Sequence, residues 1–176
     1  LSFDNAGAWF TGTTAPAIAG TFTVNEGGIL LLDNTASNLN NRLGLNAAGT
    51  LNIQGGELVI NGNSAANTTE QINSLTVAAG GGMLTLNANA ASQLNMTIVT
   101  LGALNATGSQ VFRGISGSAA ANGNATLTIT NAPALQGSQG GGNSGTTNMS
   151  IRADILADAS TTGLGTGFLV KDIGTG

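Results

Sequence analysis

The chain has no cysteine, no histidine and no tyrosine, and only four of its 176 residues are Lys or Arg. Each absence closes a class of chemistry. Without Cys or His there is no thiol nucleophile, no Ser-His-Asp triad, no zinc finger, no imidazole-held metal and no disulfide framework. Four cations cannot supply the basic surface that phosphate-backbone contact requires, so nucleic acid is not expected as a partner. Large side chains are scarce too: the six aromatics are Phe3, Trp9, Phe10, Phe22, Phe112 and Phe168. No apolar run approaches the ~18 residues of a membrane span, and stretches such as Ile29–Leu32 are strand-sized. Leu1 opens the chain without a basic n-region, the start expected of a mature or excised piece. With eight Asp+Glu the formal net charge is −4. The mean hydropathy of +0.21 argues against polar disorder.

What remains is small: 28 Gly, with much Ala, Asn and Thr. At this length one domain is expected. Burial gains about 25 cal/mol per Å², so an Ala-rich interior gains little, and backbone pairing must carry more of the stability. Such a composition calls for a repeat, and one is present. Residues 21–32 read TFTV-NEGG-ILLL, 50–60 read TLNI-QGG-ELVI, and 74–86 read SLTV-AAGGG-MLTL. Each unit is an alternating four-residue segment, a Gly-rich bend and a second short apolar segment. Strict alternation is a strand signal, because successive side chains point to opposite faces. Gly pairs permit the positive φ angles of a sharp corner. No 3.6-residue stripe persists, so helices are not expected.

Phe22, Leu51, Leu75, Leu101, Leu127 and Ile151 occupy similar places, 24 to 29 residues apart. A period near 25 fits one coil of a β-solenoid with two or three short strands. Six or seven coils at about 4.8 Å each make a rod roughly 30 Å long. Tandem hairpins are the competing reading, but they favour two-residue Asn-Gly turns, and Asn61-Gly62 and Asn122-Gly123 sit beyond the strands. Residues 33–41, 61–71, 114–125 and 136–148 read as loops between coils. Alternation assigns Phe22, Val24, Leu51, Ile53, Leu58, Ile60, Leu75, Val77, Leu84, Leu86, Leu127 and Ile129 to the interior. It assigns Thr23, Asn52, Val59, Thr76, Thr85 and Thr128 to the outer face.

Units 50–60 and 74–86 resemble the autotransporter-associated β-strand repeats of large bacterial surface proteins. The stretch INSLTVAAGGGMLTL at 72–86 is the nearest match. FLVKDIGTG at 168–176 is similar to the lead-in of the same repeats. The chain departs from the pattern at Asp172-Ile173 and around 87–115, and the resemblance covers about half of it. It implies an extended, right-handed parallel β-helix displayed outside the cell as an adhesin, filament or display scaffold, with no cofactor.

Parallel β-helices also host polysaccharide lyases and hydrolases. A glycosidase needs two carboxylates about 5–10 Å apart. The candidates are Asp154 with Asp158, or Glu57 with a carboxylate of an adjacent coil; Glu26 and Glu57, both beside Gly bends, are expected to stack. Acidic residues at bends are more often solvated, and the aromatic platforms of sugar clefts are lacking. For a calcium-dependent lyase, only Arg42, Arg113, Arg152 and Lys171 are available as bases. GGGNSG at 140–145 lacks the Gly-Lys-Ser/Thr of a phosphate loop, and no GGxGxD nonapeptide offers calcium ligands, so no metal or cofactor is expected. Thr21/Thr23, Thr76, Thr85 and Thr126/Thr128/Thr130 alternate with apolar residues and suggest hydroxyl rows for ice or crystalline polysaccharide, although Thr is also an ordinary strand residue. Asn25, Asn52, Asn61, Asn87 and Asn105 are candidates for amide ladders between coils. Sequons stand at Asn67, Asn95, Asn105, Asn124 and Asn148.

The sequence therefore predicts an all-β chain. It is a single β-solenoid segment over 1–176, right-handed, of about six to seven coils, belonging to a longer repetitive protein. The expected role is structural, at the cell surface or outside the cell: a filament, wall element or adhesin shaft, not an enzyme, with surface glycans as possible partners. A polysaccharide-acting β-helix enzyme and an ice- or polysaccharide-binding solenoid are the alternatives. Open solenoid ends invite association. Residues 166–176 read as the start of another coil and not as a cap. Phe3, Trp9, Phe10, Phe168 and Val170 are the candidate self-association residues.

Overall fold

The computed structural model describes residues 2–3, 7–9, 19–77, 79–103, 108–116, 121–132, 135–136 and 151–170. Thirteen strands form there: β1 Ser2–Phe3, β2 Gly7–Trp9, β3 Thr21–Asn25, β4 Ile29–Asp33, β5 Thr50–Gln54, β6 Glu57–Asn61, β7 Thr68–Val77, β8 Gly82–Asn87, β9 Leu94–Leu101, β10 Gln110–Arg113, β11 Ala125–Asn131, β12 Ile151–Asp158 and β13 Gly167–Val170. They fall alternately into two sheets. Sheet A has the order β1-β3-β5-β7-β9-β11, and sheet B the order β2-β4-β6-β8-β10-β12-β13. Every pairing is parallel except that of β12 with β13. A chain that visits two parallel sheets in strict alternation is a β-solenoid. Four coils, β3/β4 through β9/β10, are regular, and a less regular strand pair lies at each end. That is fewer than the six to seven coils expected, because the 24-to-29-residue period is kept only in the middle of the chain.

The interior is built of ranks in which like lies on like. Phe22, Leu51, Leu75 and Leu101 stack in register in sheet A. Leu30, Leu58, Leu84 and Phe112 do so in sheet B. All eight are essentially inaccessible. Of the predicted core, Leu127 and Ile129 are only partly buried against it, and the side chain of Val77 lies outside the described residues. Of the predicted outer set, Thr85 is buried, covered by charged neighbours described below. Two expected correspondences fail. Leu127 pairs with Met96 and not with Leu101, and Ile151 belongs to sheet B.

The cause is a one-residue slip. In β7 the inward positions are Thr68, Glu70 and Ile72, then Leu75, with both Asn73 and Ser74 outside the core. Val99 and Thr100 break the alternation of β9 in the same way. The first half of β7 therefore continues the strand ladder where a loop over 61–71 was expected. Residues 41–46 lie against it: Asn41 N–H donates to Thr69 O (2.9 Å), and Asn73 N–H to Leu45 O (2.8 Å). Leu43 and Leu45 are buried there.

The Gly bends stack as tightly as the strands. A Cβ on Gly56 would come within 2.5 Å of Val24 Cγ1 and 2.6 Å of Asn25 O. Only glycine lets these corners superpose. The return loops from sheet B to sheet A open on a shared device, in which a side-chain carbonyl or carboxylate accepts the N–H two residues on. It occurs at Asp33/Thr35 (3.0 Å), Asn63/Ala65 (2.8 Å) and Asn89/Ala91 (3.0 Å), and again at Asp158/Ser160 (2.9 Å) in the turn from β12 to β13 within sheet B.

The C-terminal expectation is corrected. Over 167–170 the chain does not open another coil. β13 turns back antiparallel onto β12, with Phe168 opposite Leu156 and Val170 opposite Ile151. The Asp158 carboxylate holds the turn by accepting the N–H groups of Ser160 (2.9 Å) and Gly165 (3.2 Å).

Leu75 lies in the middle of its rank and is 1 % exposed. Leu75→Ala should destabilise the chain by about 2–5 kcal/mol, measured by urea unfolding. Thr128→Ala, at an exposed position of β11, should change little.

Candidate functional site

Sheet B carries the one charged cluster on a flat face among the described residues. β6, β8 and β10 bring Glu57, Thr85 and Arg113 together on its outer side. Arg113 Nη2 meets Glu57 Oε1 at 2.7 Å, Arg113 Nε donates to Thr85 Oγ1 at 2.7 Å, and the Thr85 hydroxyl also contacts Glu57 Oε1. Arg113 Nη1 reaches Gly163 O at 3.4 Å. The side chains are 15 % and 12 % exposed for Arg113 and Glu57, so the pair is partly sheltered and its charges are mutually neutralised. Glu26 and Glu57 do not stack as expected: Glu57 is in register with Ile29, whereas Glu26 lies beside Gly55.

The other candidate acids are also engaged. Asp154 forms a buried two-pronged pair with Arg152, Nε–Oδ1 2.5 Å and Nη2–Oδ2 2.7 Å, with both side chains at most 2 % exposed. Arg152 Nη2 also donates to Gly102 O (3.1 Å), which ties β12 to the end of β9. Asp158 is bound to the turn before β13. Asp154 and Asp158 are thus committed to separate structural contacts and do not face one another across a cleft.

A second polar cluster, missed from sequence, lies beneath the first return loop. Glu70 is fully buried, and its carboxylate accepts the N–H of Arg42 (2.7 Å) and of Leu43 (3.1 Å). Arg42, 1 % exposed, donates from Nε and Nη2 to Asn34 Oδ1 (3.0 and 2.9 Å) and from Nη2 to Ser37 O (2.7 Å). Asn63 Nδ2 donates to Asn34 O (2.7 Å), and Ser92 Oγ bonds to Asn63 O, so the network passes from coil to coil. Burial pushes the Glu70 carboxyl up to about 8, against the opposing pull of the two N–H groups and Arg42. At the surface of the same loop, the N–H and hydroxyl of Thr35 hold Asp33 below its ordinary value. The signal for Glu70 was its even spacing from Ile72, but the slip at Asn73–Ser74 put that spacing out of phase with Leu75.

Sheet A presents a different face. Thr21, Thr50, Ser74 and Thr100 lie in one register column, and Thr23, Asn52 and Thr76 in the next. A hydroxyl therefore recurs in the first column through successive coils, which the irregular Thr-x-Thr spacing had concealed. One amide ladder is present, with Asn87 Nδ2 donating to Asn61 Oδ1 at 2.8 Å. Asn25 instead pairs with Gln54, and Asn52 lies between Thr23 and Thr76. Of the sequons, Asn67 is exposed and accepts the Gln93 N–H, and Asn95 accepts the Thr126 hydroxyl. Asn124 precedes β11, and Asn105 and Asn148 lie outside the described residues.

The candidate self-association residues separate. Phe3 is in register with Val24 in sheet A, and Trp9 with Leu31 in sheet B; Phe10 lies outside the described residues. Phe168 and Val170 are 47 % and 38 % exposed on β13, at the other end of sheet B from Trp9. Among the described residues, no group of three or more acids could hold a metal ion, and no helix is long and apolar enough to cross a membrane. No family model, curated protein or solved structure matches the chain.

The raised Glu70 value has a definite sign. The folded state holds the proton more tightly than the unfolded chain, so this contribution to stability is full below about pH 4.5 and is lost as pH rises towards about 8. Urea midpoints measured across that window should fall with rising pH. In Glu70→Gln that part of the slope should vanish, whatever the variant's absolute stability; an unchanged slope would assign it elsewhere.

Proposed function

We propose that this chain is a structural segment of a bacterial extracellular or cell-surface protein, a rod that serves as filament, wall element or adhesin shaft. It acts by display and self-association and catalyses no reaction. The observation that carries the reading is the use of its few charges. Glu57, Asp154 and Asp158 are each engaged in ion pairs or turn hydrogen bonds, and most of the buried side chains among the described residues are apolar and stacked in ranks. This is what a load-carrying shaft needs, and the resemblance of 72–86 to autotransporter-associated repeats points the same way. The partners in this reading are further copies, neighbouring segments of a longer chain, or surface glycans.

Electron micrographs of the native material should show filaments or a regular layer. Incubation with pectins, glucans and chitin should release no products. Turnover that is lost in Asp154→Asn or Asp158→Asn would overturn the structural assignment.

The second reading, a face for ice or crystalline polysaccharide, is favoured by the hydroxyl column Thr21–Thr50–Ser74–Thr100. If it holds, the chain should slow ice recrystallisation or sediment with insoluble cellulose or chitin. Thr50→Lys, at the middle of the column, should abolish either effect without unfolding the chain.

A further inference from the structure

The two sheets differ in what they turn outward. Strands of sheet A alternate, as in TFTV and TLNI, whereas ILLL, ELVI and MLTL of sheet B are nearly continuous apolar runs. Continuous runs belong to parallel strands covered on both faces, and alternating runs to strands with one face in water. Inward, sheet B buries Leu30, Leu58, Leu84 and Phe112. Outward, one register column passes through Ile29, Glu57, Met83, Val111 and Leu156 and reaches Phe168 on β13. All four exposed large hydrophobics among the described residues, Ile29, Leu164, Phe168 and Val170, lie on sheet B or on the turn into its last strand.

We propose that the outer face of sheet B is a lateral interface that packs on the same face of a second copy, with the two rods antiparallel. The proposal rests on the self-association reading above and moves the contact from the rod ends to its side. Three observations select a second copy as the occupant. First, the charges on the face are each engaged within the chain, Glu57 with Arg113, Asp33 with the N–H of Thr35 and Asp158 with the N–H groups of Ser160 and Gly165, so an apolar partner can cover the face without stranding an unpartnered charge.

Second, the face is self-complementary. β8 is the middle of seven strands, with β6 and β10 flanking it. A two-fold axis along β8 sets β6 of each copy over β10 of the other. Each Glu57 then lies diagonally across from an Arg113 of opposite sign, and Met83 faces Met83. An axis along the rod would bring Glu57 towards Glu57 and Arg113 towards Arg113. Third, the area suffices. Strands about 4.8 Å apart and five residues long give a face of roughly 500 Å² per copy, so that a pair covers about 1,000 Å², the lower bound for a specific interface.

The chain has no cysteine, so one introduced thiol reports on one position. Met83→Cys under mild oxidation should give a disulfide-linked dimer, whereas Thr128→Cys on β11 should stay monomeric. Sedimentation of the unmodified chain should show a dimer that dissociates at least tenfold more readily in Val111→Lys, at unchanged circular dichroism and urea midpoint. Association that links Thr128→Cys but not Met83→Cys would overturn the lateral interface and leave the self-associating rod intact. A monomer at every concentration, with neither variant linking, would overturn both. Unchanged dimerisation in a folded Val111→Lys would overturn this face as the contact.

Discussion

Parallel, in-register stacking is the constraint from which the rest of the molecule follows. When each strand lies about 4.8 Å from its counterpart in the next coil, every residue must tolerate a neighbour at the same position of the next turn. Large apolar side chains satisfy this in the interior ranks, where Phe22, Leu51, Leu75 and Leu101 lie one on another. Glycine satisfies it at the corners, where a side chain at Gly56 would strike Val24. Small hydroxyls and amides satisfy it on sheet A. A chain so poor in aromatics can hold a core this way because the ladder supplies regular hydrogen bonding while the ranks exclude water.

Charge is where stacking is hardest to satisfy, since like charges one above another repel. The chain has twelve ionisable acids and bases of the Asp, Glu, Lys and Arg types, and the described ones avoid repeating in a rank. Glu57 has Ile29 and Met83 as its register neighbours and finds its cation two strands away. Glu70 stands next to Met96. There burial keeps its carboxyl largely protonated at neutral pH, and it accepts two backbone N–H groups from the loop that lies against β7. The outcome is a rod whose two broad faces differ in chemistry, hydroxyls and amides on sheet A and apolar side chains with paired ions on sheet B.

How much of this was legible depended on the local pattern. The units 21–32, 50–60 and 74–86 read correctly because their first strands alternate, their second strands are short apolar runs and their bends carry paired glycines. The stretch 87–115 hid β9 and β10, whose connection is long and lacks the Gly-rich corner. The slips at Asn73–Ser74 and Val99–Thr100 were invisible, because Asn73 and Ser74 are alike in polarity and Val99 and Thr100 alike in size and shape. They also concealed the inward turn of Glu70. The hairpin of β12 and β13 was misread because FLVK has the composition of a new coil. What reverses it is the Asp158 side chain binding Gly165, a contact between residues seven apart that no periodicity reports. For the candidate site, the acids were found but their partners were not, since Arg113 and Glu57 meet only after two turns of the coil.

The turn that opens three of the return loops has a consequence for how such a chain can vary. At Asp33, Asn63 and Asn89 the direction of the backbone on leaving sheet B is fixed by a single side chain gripping an N–H two residues later. Beyond that grip the loops differ in length: sixteen residues separate β4 from β5, and six separate β6 from β7. Loop-closure cost rises only slowly with length, so the exposed stretches 35–37 and 64–66 can be lengthened or decorated without disturbing a strand, whereas 41–46 are held against β7. The solenoid then behaves as a chassis with interchangeable edges, on which recognition can diversify while the rod stays the same.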